Sequence, residues 1–183
     1  MWPRVRRFEI VPDRSNVWIE AKSTLHPIHS HATGLEGFVE VDVRADGNLD
    51  LSTSPRAHLS FPVSKLTSSN PLEERELRRR IAARRFPTID GELTAMKAAD
   101  GENAYVVSGS ITFMGETRAY EHEMQITVTD VDDLRLTGEA MFDVRDFGLE
   151  PPRILLLRVE PDVVVRVEII ATGAAAQSGS GTE

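Results

Sequence analysis

The stretch VSGSITFMGETRAYEHEMQITV, Val107–Val128, decides how the rest of the chain reads. Val107, Gly109, Ile111 and Phe113 alternate with polar residues. After Met114-Gly115-Glu116 the same two-residue period resumes in Tyr120, His122, Met124, Ile126 and Val128. Successive side chains of an extended chain point to opposite faces, so these are two half-buried strands joined by a tight turn. The pattern recurs on both sides. Inward faces are predicted at Val17, Ile19 and Ala21; at Val39, Val41 and Val43; at Ala57, Leu59, Phe61 and Val63; at Leu134, Leu136, Ala140 and Phe142; and at Val163, Val165, Val167 and Ile169. Turn residues separate them at Ala45-Asp46-Gly47-Asn48, Ala99-Asp100-Gly101-Glu102 and Asp130-Val131-Asp132-Asp133. About seven or eight evenly spaced strands imply an all-β antiparallel barrel or sandwich rather than an α/β fold.

One segment breaks the period. Asn70 suits an N-cap, Pro71 the first helical position, and Glu73 and Glu74 the first turn. Arg78, Arg79, Arg80, Arg84 and Arg85 follow where cations suit the helix dipole, and Leu77 and Ile81 share a face. Pro87 stops the helix, which is expected over residues 71–85. Residues 173–183 lack periodicity and large apolar side chains and read as a flexible tail to a single domain over residues 1–172.

Composition narrows the chemistry. The chain has 183 residues, within the usual size of one domain with its own core, and its 40% hydrophobic and 27% charged residues are ordinary for a globular protein. It contains no Cys, which excludes disulfides, thiolate nucleophiles, Cys-type zinc sites and Fe–S clusters. The N-terminus begins Met1-Trp2-Pro3-Arg4-Val5-Arg6-Arg7, basic like a signal peptide. Glu9, Pro12, Asp13 and Arg14 then interrupt any apolar run, and no stretch reaches the roughly 20 apolar residues of a membrane span. A cytoplasmic protein without a transmembrane segment is the expectation.

Three segments, taken in order, carry a resemblance: Arg85-Phe86-Pro87-Thr88-Ile89 after the helix, the Gly109–Arg118 hairpin, and Phe142-Asp143-Val144-Arg145-Asp146-Phe147-Gly148. Together they resemble the YceI-like family over about residues 8–172. The resemblance implies a lipocalin-like antiparallel barrel of about eight strands with one helix, and an interior that in some members carries a polyisoprenoid chain. Two stretches depart from the family's pattern. Thr24–Gly34 is richer in His and Pro than usual, and Leu149–Pro161 replaces a shorter polar connection, as if the barrel mouth had been rebuilt.

A barrel of that size either fills with side chains or holds one small ligand. With the resemblance, the ligand-lining candidates are Ile19, Val41, Leu59, Phe61, Ile111, Phe113, Tyr120, His122, Met124, Ile126, Phe142, Val165 and Val167. An apolar chain would gain about 0.8 kcal/mol per buried methylene with no catalytic group involved. Tyr120 and His122 are the polar exceptions on their face, fit to orient a head group or to be satisfied within the core.

The other constellations carry a functional and a structural reading each. His26, His29 and His31 could meet one metal ion, but Pro27 fixes the backbone between them and alternation sends neighbours to opposite faces. They read as a loop at the barrel mouth, and no metal site is assigned. The helix arginines, Arg75 and Arg78 among them, suit either an anionic head group or pairing with the helix's own glutamates. Nucleic acid is not expected, since the net charge is −8 and no basic aromatic sheet is present. Asp146-Phe147-Gly148 lacks every companion of a kinase site. Gly148 reads as a turn residue, with Arg145 and Asp146 as an ion pair or bonded to the turn. No G-x-S-x-G, H-E-x-x-H, P-loop or Rossmann pattern occurs, so no catalytic residue and no cofactor is assigned. The leading expectation is a carrier of a hydrophobic small molecule or lipid. A metal- or haem-associated enzyme or stress protein using the histidines is the second reading. A ligand-free interaction domain is the third, dimerising through Trp18, Phe38 and the Ile154–Leu157 run.

Overall fold

The computed structural model describes residues 5–130, 133–154 and 156–173. In chain order the elements are β1 (Arg6–Ile10), β2 (Asn16–Ser23), β3 (Ile28–Ala32), β4 (Glu36–Val43), β5 (Leu49–Asp50), β6 (Arg56–Pro62), β7 (Thr67–Ser68), α1 (Pro71–Arg80), β8 (Thr88–Ala98), β9 (Ala104–Phe113), β10 (Glu116–Asp130), β11 (Asp133–Asp143), β12 (Arg153–Ile154) and β13 (Leu157–Gly173). β1, β4, β6, β8, β9, β10, β11 and β13 follow one another, and β13 returns to pair with β1, closing an eight-stranded antiparallel barrel. β2, β3 and β7 leave β13 as a second wing.

The wing and the barrel share one edge of β13. Ile10 pairs with Ala171 in β1, whereas Asn16 pairs with Glu168 and Val17 with Val167 in β2. β1 and β2 thus form one line beside β13, interrupted by a 3-10 turn over Pro12–Arg14. On its far side β1 takes β4, and β2 takes β3. Where the line is broken, Ile170 would lose its ladder bonds. Val11 N–H donates to the Ile170 carbonyl at 2.8 Å, and the Ser15 hydroxyl accepts from Ile170 N–H at 3.1 Å and donates back to its carbonyl at 3.3 Å. Ser15 is fully buried, so its hydroxyl replaces the missing rung where water cannot.

One end of the barrel is filled. Phe8, Leu35, Val41 and Leu134 are at most 1% exposed and pack with Val39, Val107, Ile126 and Ala171. The β9–β10 hairpin turns on Met114 and Gly115 at φ 53° and 79°, two left-handed residues as a type I′ turn requires. Gly148 at φ 75° ends the 3-10 turn of Val144–Phe147, where Asp143 caps Arg145 N–H at 2.9 Å. Arg145 pairs with Asp143 at 2.6 Å rather than with Asp146, because the cap already holds that carboxylate beside it.

α1 is shorter than the expected 71–85. Its Asn70 cap accepts from Leu72 N–H at 3.0 Å, but Ala82 sits at φ 51°, with Ala82 N–H on the Arg79 carbonyl and Ala83 N–H on the Arg78 carbonyl. That is a Schellman ending, built on Ala instead of the usual Gly. His26–His31 is not all loop, since Ile28–Ala32 is strand β3. β1 and β8 are further strands that alternation did not reveal. β1 offers only Phe8 and Ile10 as a buried face, and a register shift between Leu93 and Ala95 breaks the period of β8. The expected tail beyond Gly173 and part of the Asp130–Asp133 turn lie outside the described residues.

Replacing Ser15 with Ala strands a buried Ile170 N–H. Urea unfolding should show a loss of about 1–3 kcal/mol with an unchanged slope; an unaffected midpoint would show that the hydroxyl is not what closes the junction.

Candidate functional site

The other end of the barrel is hollow. A cavity of about 210 Å³ lies between the barrel, the β2–β3–β7 wing and α1. β2 contributes Val17, Ile19 and Ala21, the inward face its alternation requires, and β13 lays Val163 and Val165 directly beside them. Phe61, Ile89, Ile111 and Phe113 come from the barrel wall. β11 adds Phe142 near its end, the connection after it folds back with Val144, Phe147, Leu149, Pro151 and Pro152, and β13 adds Val159. α1 covers this space with Leu77 and Ile81, one helical turn apart.

Polar groups gather where β3 and β7 meet the start of α1, and Glu160 of β13 is a separate polar residue of the lining. Ser30 of β3 pairs with Ser68 of β7, and beyond them Glu73 and Glu74 occupy the first turn of α1. Glu73 is only 8% exposed. Its carboxylate accepts from the Ser68 hydroxyl at 3.3 Å and lies 3.7 Å from the His26 ring. In the sequence Glu73 reads as a first-turn residue suited to the helix dipole and to pairing with the helix arginines. The available signal was its spacing: Glu73 lies four residues before Leu77 on the same inward stripe.

Ile19, Phe61, Ile111, Phe113, Phe142 and Val165 of the predicted set line the cavity; the other candidates do not. Val41 and Ile126 are sealed in the filled end, at 1% and 2% exposure. Leu59 packs over Gly91. Met124 and Val167 face each other across Gly138 and border a shallow groove with Trp18 and Arg166. His122 stands one ring back from the cavity, its edge against Phe142 at 6.0 Å, with Tyr120 behind it at 6.3 Å. The inward face of β10 packs on the core and contributes nothing to the lining.

The histidines diverge. His26 turns to Glu73, His29 to Glu20 at 3.4 Å, and His31 to Asn16 at 2.9 Å while stacking on Trp18. Among the described residues no three His, Asp or Glu side chains converge as metal ligands. None of the helix arginines is part of the cavity lining. Arg78 pairs with Glu74 at 2.5 Å, and Arg79 and Arg80 both reach Glu76 at 2.9 Å, which holds the Glu76 carboxyl below its ordinary value. Trp18 and Phe38 lie under Arg166 and Arg7, the latter at 3.7 Å. Of the Ile154–Leu157 run, Leu157 is buried and Leu156 exposed; Leu155 and the Ile154 side chain lie outside the described residues.

A closed antiparallel barrel with a deep apolar cavity under a helical lid defines a lipocalin-like binding fold. The YceI-like domain model matches residues 8–171, and the chain belongs to that family. Solved structures share the fold. BcnA of Burkholderia cenocepacia superposes with a TM-score of 0.72 at 14% identity, covering 89% of this chain and 99% of that one. A polyisoprenoid binding domain from Saccharophagus degradans, implicated in plant cell wall breakdown, gives 0.71 at 10% identity, covering 93% and 100%. The YceI protein of Campylobacter jejuni gives 0.62 at 11% identity, covering 80% and 85%. No curated protein matches the chain.

Burial pushes the Tyr120 phenol above its ordinary value. A raised acid favours the folded state fully below the unfolded value, near pH 10, and that stability is lost as pH rises through the folded value. Thermal melts taken upward from about pH 9 should therefore fall more steeply in the native protein than in Tyr120→Phe. Parallel curves would show that this phenol is not desolvated.

Proposed function

We propose that the protein binds and carries a long apolar molecule, an isoprenoid or a lipid of similar shape, inside its barrel. One observation carries this: outside its few polar groups, the cavity wall is made of apolar side chains from the barrel, the wing and the lid. Each methylene buried there contributes about 0.8 kcal/mol, offset by the cost of ordering the chain. The polyisoprenoid-binding description of the Saccharophagus neighbour supports the same ligand class. Ile19, Phe61, Ile111, Phe113, Phe142 and Val165 are the proposed contacts. Nothing favours the metal or haem reading, since the three histidines each have a separate partner. The contact-patch reading is weakened by the arginines over Trp18 and Phe38. Among the described residues no helix is long and apolar enough to cross a membrane. A cytoplasmic location, and a single domain over residues 1–172 with a separable tail, belong to the same proposal; cell fractionation and limited proteolysis check them.

Protein purified from its host without detergent should release an isoprenoid or other lipid on organic extraction, with a matching mass in native mass spectrometry. A fluorescent prenyl probe should bind the emptied barrel, and Ala21→Phe, which projects a ring into the cavity, should weaken it about tenfold or more without loss of the β-type circular dichroism. An extract free of lipid together with no probe binding sinks the proposal.

A further inference from the structure

The cavity's charges have one sign. Its charged lining residues are Glu73, Glu74 and Glu160, with no Lys, Arg or His among the described ones. Glu74 is neutralised by Arg78, whose guanidinium also donates to the Ser64 and Leu66 carbonyls. Glu73 is different. It occupies the inward stripe of α1 where a continued Leu77–Ile81 face would place an apolar residue, and it is more than nine-tenths buried. A buried carboxylate is costly unless bonded, and it offers about four acceptor sites. The contacts of Glu73 are the Ser68 hydroxyl and the His26 ring, and at 3.7 Å the ring is beyond hydrogen-bond length. Glu73 Oε1 therefore makes no hydrogen bond among the described residues, and Glu73 is part of the cavity lining. Glu160, exposed on β13, is a further carboxylate of the lining.

We propose that Glu73, with Ser68 bonded to it and Ser30 paired across from Ser68, is a head-group site for a hydrogen-bond-donating end, a primary ammonium first and a hydroxyl second, on a long apolar chain. Phosphorylated isoprenoids are disfavoured there, because their charge meets carboxylates in a poorly screened pocket with no guanidinium to receive it. This rests on the reading that the cavity holds an apolar chain. It also reverses the role that the helix arginines suggest, since Arg78, Arg79 and Arg80 are paired with the helix's own Glu74 and Glu76.

The test uses the full chain and four probes of one chain length: geranylgeranylamine, geranylgeraniol, geranylgeranyl diphosphate and the headless hydrocarbon. Each competes with a fluorescent prenyl probe. Amine and alcohol should bind about tenfold or more tighter than the diphosphate, and Glu73→Gln should cut the amine's affinity about tenfold while changing the hydrocarbon's by less than about twofold. A diphosphate that binds as well as the amine, or a Glu73→Gln protein with the native order of preference, overturns the head-group site while leaving the carrier reading intact. Failure of all four, the hydrocarbon included, overturns the carrier reading and the site with it. Should Glu73→Gln not fold, the native protein's order of the four probes decides alone.

Discussion

Everything about the cavity follows from how Ile170 is satisfied. β13 has a single free edge, and two strands need it: β1 to close the barrel, β2 to begin the wing. A continuous β1–β2 strand would carry one set of neighbours along its length and leave a uniform cylinder. The turn at Pro12–Arg14 breaks it, and the fully buried Ser15 repairs the ladder by bonding both the N–H and the carbonyl of Ile170. Each half is then free to take its own partner, β4 for one and β3 for the other. The barrel closes tightly at the β1 end and splays at the β2 end, and the space between is the cavity.

A splayed barrel needs a cover, and α1 supplies it with modest means. Ten residues make a helix too short to be stable alone, so its persistence depends on both ends and on the face it buries. Asn70 and Pro71 fix its start, and the Ala82 turn fixes its end. The Glu74–Arg78 and Glu76–Arg80 pairs run glutamate first, the orientation that agrees with the helix dipole. These exposed pairs add little each. Their larger effect is to engage the guanidinium groups of Arg78, Arg79 and Arg80, none of which is part of the cavity lining.

The sequence carried the barrel through its alternation, because a half-buried strand has no other way to place its side chains. β9, β10, β11 and the later part of β13 were legible for that reason, and so was the existence of the helix. The missing strands had physical excuses. β3 shows the cavity only Ile28 and Ser30, a face too short and too polar to register as a pattern, and the bulge near Leu93 puts β8 out of phase with itself. The site was legible by half. Alternation says which face of a strand turns inward but not whether space or core awaits it there. Ile111 and Ile126 are equivalent in the sequence, yet one meets the cavity and the other the filled end. That distinction depends on where β1 and β2 part, and it is encoded by a lone Ser15 in a turn with no pattern to advertise it.

The division into a filled and a hollow end also separates what drives folding from what a ligand adds. Burial of apolar surface drives folding, and a barrel hollow throughout would forgo much of it. Here Phe8, Leu35, Val41 and Leu134 form a dense plug that owes nothing to a ligand, while Ile19 and Val165 line the splayed half only partly buried. β13 belongs to both regions, with Val163 and Val165 at the cavity and Ile169 and Ala171 in the plug. Losses at the plug act on folding directly. Changes at the cavity lining act first on occupancy, and reach stability only through whatever the ligand adds by mass action.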